Sequence, residues 1–416
     1  MTKPVIAVLV AGILAASAAP ARAAEMASAD DTAHFLAGLP VAPQSPLAPL
    51  TRNPSWQQYA RRFDTLFSRE DRETISKVRA FSQAQLTSPH DSMLYMFSGP
   101  DFLYATSFFP KASTYVLSGL EPVGNIPRLT QLQRSSIEVV QRNLEISLNS
   151  ILSFSFFITK KMKAELVAGP VYGTLPVLYV FLARTGKTIH DVSLVSLDEQ
   201  GNIQTADAQA ADQTAGGGAG SITPRKATPN AAKGVKIVFS DGDRPNQTLY
   251  YFSTNLDDQG VRSSGLLAFC DKLGPADSLI KSASYLMHRG GFARVRNFLL
   301  DRSATIVQDD SGIPLTYFDE KKWRLRPFGR YVGPLTMFGV APQPRMAQLF
   351  RNATPLAFGI GYRWHRNESN LLLAEKISPT AEPVLANEPP PAPEKRVAKR
   401  KKQPPRALFQ WGGLFH

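Results

Sequence analysis

A single cysteine, Cys270, stands among 416 residues, so no intramolecular disulfide can form. Its setting, Leu266-Leu267-Ala268-Phe269-Cys270, reads as a buried small apolar residue rather than a nucleophile. Histidine is nearly as scarce, six in all with no H-E-x-x-H pair, which leaves no ligand set for a structural zinc. No G-x-S-x-G marks a serine-hydrolase elbow, and no G-x-G-x-x-G marks a dinucleotide site. Thr185-Gly186-Lys187-Thr188 ends like a phosphate-binding loop, but Phe181 occupies the earlier position where only glycine would let backbone approach the phosphate. A turn between a helix and the strand Val192 to Leu197 is expected there instead. Asp241-Gly242-Asp243 opens like a calcium loop, yet Pro245 and Asn246 stand where a ligand and the turn glycine belong. On these grounds no cofactor and no bound metal are expected.

Negative charge is the minority, 34 Asp and Glu against 47 Lys and Arg, for a formal net charge of +13. That excess suggests anionic partners, but it is partly local. Beyond Ile377, seven basic residues between Lys395 and Arg406 oppose only Glu382, Glu388 and Glu394. No specific nucleic-acid partner is indicated. Long apolar runs are also few. Met1 to Ala23 has Lys3, an apolar core from Val5 to Ala16 and a small-x-small site at Ala21-Arg22-Ala23, the pattern of a secretory signal peptide cut before Ala24. Its core is too short to span a bilayer, and no cysteine is present to carry a lipid. Leu166 to Ala183 is almost uncharged but is broken by Gly169, Pro170, Gly173 and Pro176, so a loop and a buried helix are expected rather than a span. The mature chain is therefore expected to be soluble, periplasmic or extracellular, with no transmembrane segment.

With 43% hydrophobic and 19% charged residues, what remains can bury a sizeable core. The body centres on Ser92 to Gly124. Met93 to Phe97 has strand composition, Ser98-Gly99-Pro100-Asp101 is turn and helix-start chemistry, Phe102 to Phe109 has helical spacing, and Tyr115 to Leu117 returns to strand. A crossover this short still joins parallel neighbours, which predicts a βαβ unit.

Ahead of it, residues 24–54 are rich in Ala and Pro and are expected to wrap the surface or stay mobile, and two helices carry Trp56, Tyr59, Phe63, Ile75 and Val78 as core stripes. After it come a long helix over Leu129 to Asn149 and a low-complexity insertion, 205–234, which is expected to be flexible. A hairpin follows, from Val235 to Phe239 and from Thr248 to Ser253. Leu266 to Leu273, Asp277 to Arg289 and Phe292 to Asp301 read as three helices, Ser303 to Gln308 and Ile313 to Phe318 as a hairpin around Asp309-Asp310-Ser311-Gly312. Trp323 to Phe328 and Ala357 to Trp364 read as strands. The expected fold is α/β or α+β, a mixed sheet with a central βαβ unit, flanking helices and C-terminal hairpins. The body divides into 55–204 and 235–376, followed by a Pro-rich basic tail over 377–416.

Three constellations could carry chemistry. Ser98, Gly99 and Asp101 mark a helix start whose free amides suit an anion, although Pro100 and Asp101 also suit self-capping. Asp101, Glu121, Asp309 and Asp310 would be catalytic candidates, as an acid/base pair or hard oxygen ligands, if the fold brought them together; Asp-Asp-Ser-Gly is equally good turn chemistry. His288, Arg289, Arg294 and Arg296 gather donors around two glycines, either for a phosphate or carboxylate or as a solvated helix face.

The stretches MFSGPDFLYA, FFPKASTYVLSGLEPVG and VQDDSGIPLTYF resemble segments of uncharacterised exported bacterial proteins. The resemblance implies a bacterial envelope address and carries no activity or ligand. The leading expectation is an exported protein that binds an anionic envelope polymer, lipid or small ligand through the SGPD turn or the arginine cluster. A metal-assisted hydrolase using the acidic group is the alternative if the carboxylates converge, and a structural assembly part is a third if a large apolar patch is exposed.

Overall fold

The computed structural model describes residues 26–155, 171–205, 231–365 and 367–377. The signal-like Met1 to Ala23, residues 166–170 of the apolar stretch, residues 206–230 of the low-complexity insertion and the tail from 378 onward lie outside the described residues.

The frame is a mixed sheet of ten strands. Strands β1 (Ser92–Tyr95) and β2 (Thr114–Gly119) are parallel neighbours joined by helix α4 (Phe102–Phe108), the expected βαβ unit. Strand β6 (Arg244–Ser253) lies parallel to β2 on its other side, while β7 (Ala276–Ile280) and then β8 (Ser303–Gln308) continue the parallel run beyond β1. Antiparallel strands close both edges. On one edge β5 (Lys233–Asp241) forms the expected hairpin with β6 and pairs with β3 (Lys187–Leu197), which carries the short β4 (Ile203–Thr205). On the other, β10 (Asn370–Lys376) lies between β8 and β9 (Trp323–Gly329). Both expected parts of the body thus contribute strands to one sheet.

Alternation along the central strands explains why both faces are covered. Met93, Tyr95, Tyr115 and Leu117 face one core, together with Trp56, Tyr59 and Phe63 of α2 (Pro54–Glu70) and with Phe102 and Tyr104 of α4. Helices α1 (Ala29–Leu36), α3 (Ser76–Gln85), α5 (Arg134–Phe154) and α6 (Leu175–Arg184) add to that side. Leu94, Met96 and Val116 face the second core, with α7 (Leu266–Lys272) and α8 (Ala293–Arg302). A short α9 (Pro344–Leu349) packs with Leu315 and Leu372. Among the described residues no helix is long and apolar enough to cross a membrane. Cys270 is buried in α7, and desolvation pushes its thiol well up, as expected of an inert packing residue.

Four segments differ from the sequence reading. Residues 29–36, expected to wrap the surface or stay mobile, form α1, capped by the Ser28 hydroxyl and burying Phe35 and Leu36. Asp277 to Arg289 is not a helix, because Ala276 to Ile280 is buried along its whole length between β1 and β8. Ile313 to Phe318 makes no strand. The Gln308 side chain bonds both the amide and the carbonyl of Ile313, which turns the chain into a 3₁₀ turn and leaves β8 free to pair with β10. Ala357 to Trp364 makes only an isolated bridge between Ile360 and Arg363. Thr185-Gly186 is the expected turn, and the buried Lys187 beyond it forms an ion pair with the half-buried Asp241 at 2.8 Å.

Candidate functional site

The parallel strands β1 and β7 are adjacent, but the chain leaves them toward opposite faces: β1 runs into α4 on one core and β7 runs on toward α8 on the other. Such a divergence opens a crevice beyond the carboxyl ends of the strands. A cleft of about 160 Å³ lies there, lined from the ends of β1, β2, β6 and β7 by Phe97, Ser98, Glu121, Leu256, Lys281 and Ser282, among others.

Three charged side chains line it: Asp101, Glu121 and Lys281. Asp101 caps its own helix, with Oδ1 accepting the Tyr104 amide at 3.1 Å, so the amides of this seven-residue helix are turned to an internal carboxylate. Its Oδ2 accepts Tyr95 Oη–H at 2.8 Å and pairs with Lys281 Nζ at 2.7 Å. Lys281 also donates to the Ser155 carbonyl at 2.6 Å, and its ammonium lies 3.4 Å from the centre of the Tyr104 ring. Burial lowers the Lys281 pKa, and Asp101 opposes that shift. The lysine's charge is thereby engaged at the back of the cleft.

Glu121 is held differently. It is 3% exposed, yet it forms no ion pair among the described residues. The Tyr251 hydroxyl is 2.8 Å from the Glu121 backbone carbonyl and 3.3 Å from Oε2, so one proton is divided between two acceptors. One glycine vacates the space the carboxylate fills: a Cβ on Gly119 would fall 2.3 Å from Oε2, whereas Gly99 serves the turn through its φ of +56°. Ser98 is turned inward, its hydroxyl donating to the Gly99 and Ser118 carbonyls.

Left-handed backbone at residues other than glycine gathers at this rim. Phe97 (φ 63°), Ser282 (φ 55°) and Ser284 (φ 53°) all line the cleft, and Tyr285 (φ 54°) follows. Each such conformation costs on the order of 1–3 kcal/mol and persists where the surroundings impose it, which is common at binding sites. The Ser282 hydroxyl is buried with no hydrogen-bond partner among the described residues. Phe97 and Phe292 face each other with ring centres 5.9 Å apart.

Of the four acidic candidates, Asp101 and Glu121 share the cleft, whereas Asp309 and Asp310 do not line it. Asp309 is fully buried behind Ser282, accepting the Ser282 and Ser311 amides and the Ser311 hydroxyl. Burial, reinforced by the neighbouring Asp310, pushes its carboxyl up to about 6. Asp310 is clamped by Arg363 through two bonds of 3.0 and 2.8 Å and by the Tyr285 hydroxyl at 2.9 Å. Among the described residues no three His, Cys, Asp or Glu side chains converge so as to hold a metal ion.

The basic constellation also separates. Arg296 is buried, donates to the Met287 carbonyl at 2.8 Å and lies over the Tyr317 ring, while Arg289 and Arg294 are exposed. His288 is half-buried, its pKa lowered by desolvation, against the Tyr285 ring.

Sequence reasoning found Ser98, Gly99, Asp101 and Glu121 but missed Tyr95, Phe97, Gly119, Tyr251, Lys281 and Ser282. No family model matches the chain, and neither a curated protein nor a solved structure matches it.

Proposed function

We propose that this protein is a binding protein that takes a compact small molecule into the cleft at the carboxyl ends of β1, β2, β6 and β7. The observation that carries this reading is Glu121, a buried carboxylate that has no counter-ion among the described residues and faces an open cleft. A charge taken out of water is normally paired, and here the missing partner is supplied from outside. At about 160 Å³ the cleft is smaller than the ~300 Å³ at the low end of drug-sized sites, so the ligand is small. Asp309 and Asp310 do not line the cleft beside Asp101 and Glu121, which favours this binder over an acid-catalysed hydrolase.

The test is hydrogen–deuterium exchange with a panel of small fragments, on the wild type and on Thr254→Trp, whose indole would fill the cleft. At least one fragment is expected to protect residues 97–101, 119–121 and 281–286 in the wild type and to do so no longer in the variant. Protection elsewhere, or equal protection in both proteins, would rule the cleft out.

The export reading rests on Met1 to Ala23, and the anionic envelope partner on the basic residues from Lys395 to Arg406. Intact mass of the protein recovered outside the cytoplasm is expected to correspond to a chain beginning at Ala24 with no acyl group and no disulfide. A retained leader or an added acyl mass would contradict that reading.

A further inference from the structure

We infer that the ligand of this cleft is a compact organic cation, an ammonium or amidinium group seated on Glu121 with its apolar body against Phe97 and Phe292. The inference rests on the cleft being the binding site and adds the class of ligand. The charged lining is Asp101, Glu121 and Lys281, and Asp101 and Lys281 neutralise one another at 2.7 Å. What remains is the single negative charge of Glu121, on a chain whose formal charge is +13.

An anion would meet that carboxylate with no free cation among the described lining residues to offset it. The ammonium of Lys281 is 1% exposed, bonded to Asp101 and the Ser155 carbonyl and covered by Tyr104. A cation meets the opposite situation. Glu121 receives only a hydroxyl proton divided between its carbonyl at 2.8 Å and Oε2 at 3.3 Å, so a cationic N–H donor adds a shorter charge-assisted bond and the opposite charge. Aromatic rings in the same lining add to the attraction, because the ring quadrupole presents negative density to a cation. Phe97, Phe292 and Tyr362 all belong to the lining. The backbone is arranged for this carboxylate as well: only glycine at 119 leaves room for Oε2, and Phe97 is held at a positive φ at the rim. The positive field of the rest of the chain acts over distances that salt screens beyond about 8–10 Å, so it slows approach more than it weakens the contact.

The experiment is calorimetric titration of the full chain with benzylamine, benzyl alcohol and benzoate at pH 7.5, on the wild type, Glu121→Gln, Phe292→Ala and Thr254→Trp. The glutamine variant keeps the shape of the side chain and removes its charge. Benzylamine is expected to bind the wild type about tenfold more tightly than benzyl alcohol, a difference typical of one charge-assisted hydrogen bond, with benzoate weakest. Glu121→Gln should weaken the amine more than the alcohol and remove the preference between them. Phe292→Ala should weaken the amine and the alcohol together while keeping their order. If benzoate binds as tightly as benzylamine, or if the amine preference survives in Glu121→Gln, the cation assignment falls. In that case a loss of all three probes in Thr254→Trp would leave the cleft itself standing. No binding of any probe to the wild type would count against both the cleft and its ligand class.

Discussion

Lys281→Met is expected to destabilise the protein by about 3–5 kcal/mol, the cost typical of removing one partner from a buried ion pair. The pair here is buried on both sides, Lys281 at 1% and Asp101 at 2% side-chain exposure, with 2.7 Å between Nζ and Oδ2. Methionine fills a similar volume, so the loss would come from Asp101 left charged with only the Tyr95 hydroxyl and the Tyr104 amide, and from the Ser155 carbonyl left without its donor. The double variant Lys281→Met with Asp101→Asn removes the stranded charge, and the asparagine can still accept the Tyr104 amide as a helix cap. Its loss should shrink to about 1–2 kcal/mol, reflecting the neutral hydrogen bonds no longer made. Urea unfolding of the wild type, both single variants and the double gives the coupling directly. A loss in the double equal to the sum of the two single losses would show that the two charges do not depend on each other.

How much of this site the sequence displays depends on how locally each part is determined. The β1–α4–β2 unit is legible because a run of bulky strand formers, a Gly-Pro-Asp start signal, a helical spacing and a second apolar run follow within one stretch. Asp101 and Glu121 are found because they flank those elements. Lys281 is missed because Ala276-Asp277-Ser278-Leu279-Ile280 does not alternate: a central strand is covered on both faces, so it loses the period-two signal. Its polar residues point inward for reasons invisible in the sequence, Asp277 bonding the His90 amide at 2.7 Å and Ser278 bonding Ser303 at 2.7 Å.

The Gly274-Pro275 break just before this segment and the serines just after it were the available signals for a short buried strand. Ile313 to Phe318 fails for a related reason, since strand partners are chosen by the whole sheet. β8 pairs with β10, more than sixty residues further on, and a single glutamine side chain satisfies the segment that local pattern would have placed beside it. Convergence of side chains is the least legible property. Asp309 and Asp310 are adjacent in sequence and still face different partners, Ser282 and Arg363.

The same buried layer should give the fold an inverted response to pH. Glu70, at the end of α2, is buried and accepts the Tyr104 hydroxyl at 2.9 Å, which in turn accepts the Ser155 hydroxyl at 2.7 Å. Desolvation pushes its carboxyl from near 4.5 up to about 7, against the opposing pull of Tyr104, Lys281, Thr74 and Arg69. A carboxyl whose folded pKa lies above its unfolded value binds its proton more tightly in the native state. The stability it contributes is fully present below about pH 4.5 and is lost as the pH rises through about 7. A shift of this size corresponds to about 3 kcal/mol between those limits. Glu70→Gln cannot ionise and keeps an acceptor for Tyr104, so it should not show this loss. Relative to the variant, the wild type is therefore expected to lose about 3 kcal/mol between pH 4.5 and 8, read as the difference between two urea-unfolding series. The comparison cancels the titration of other groups, including the surface carboxylates Asp198 and Asp257, whose lowered pKa values act in the opposite direction. Parallel stability curves for the two proteins over that range would show that Glu70 keeps the same proton affinity folded and unfolded, and that its burial costs the charged form nothing.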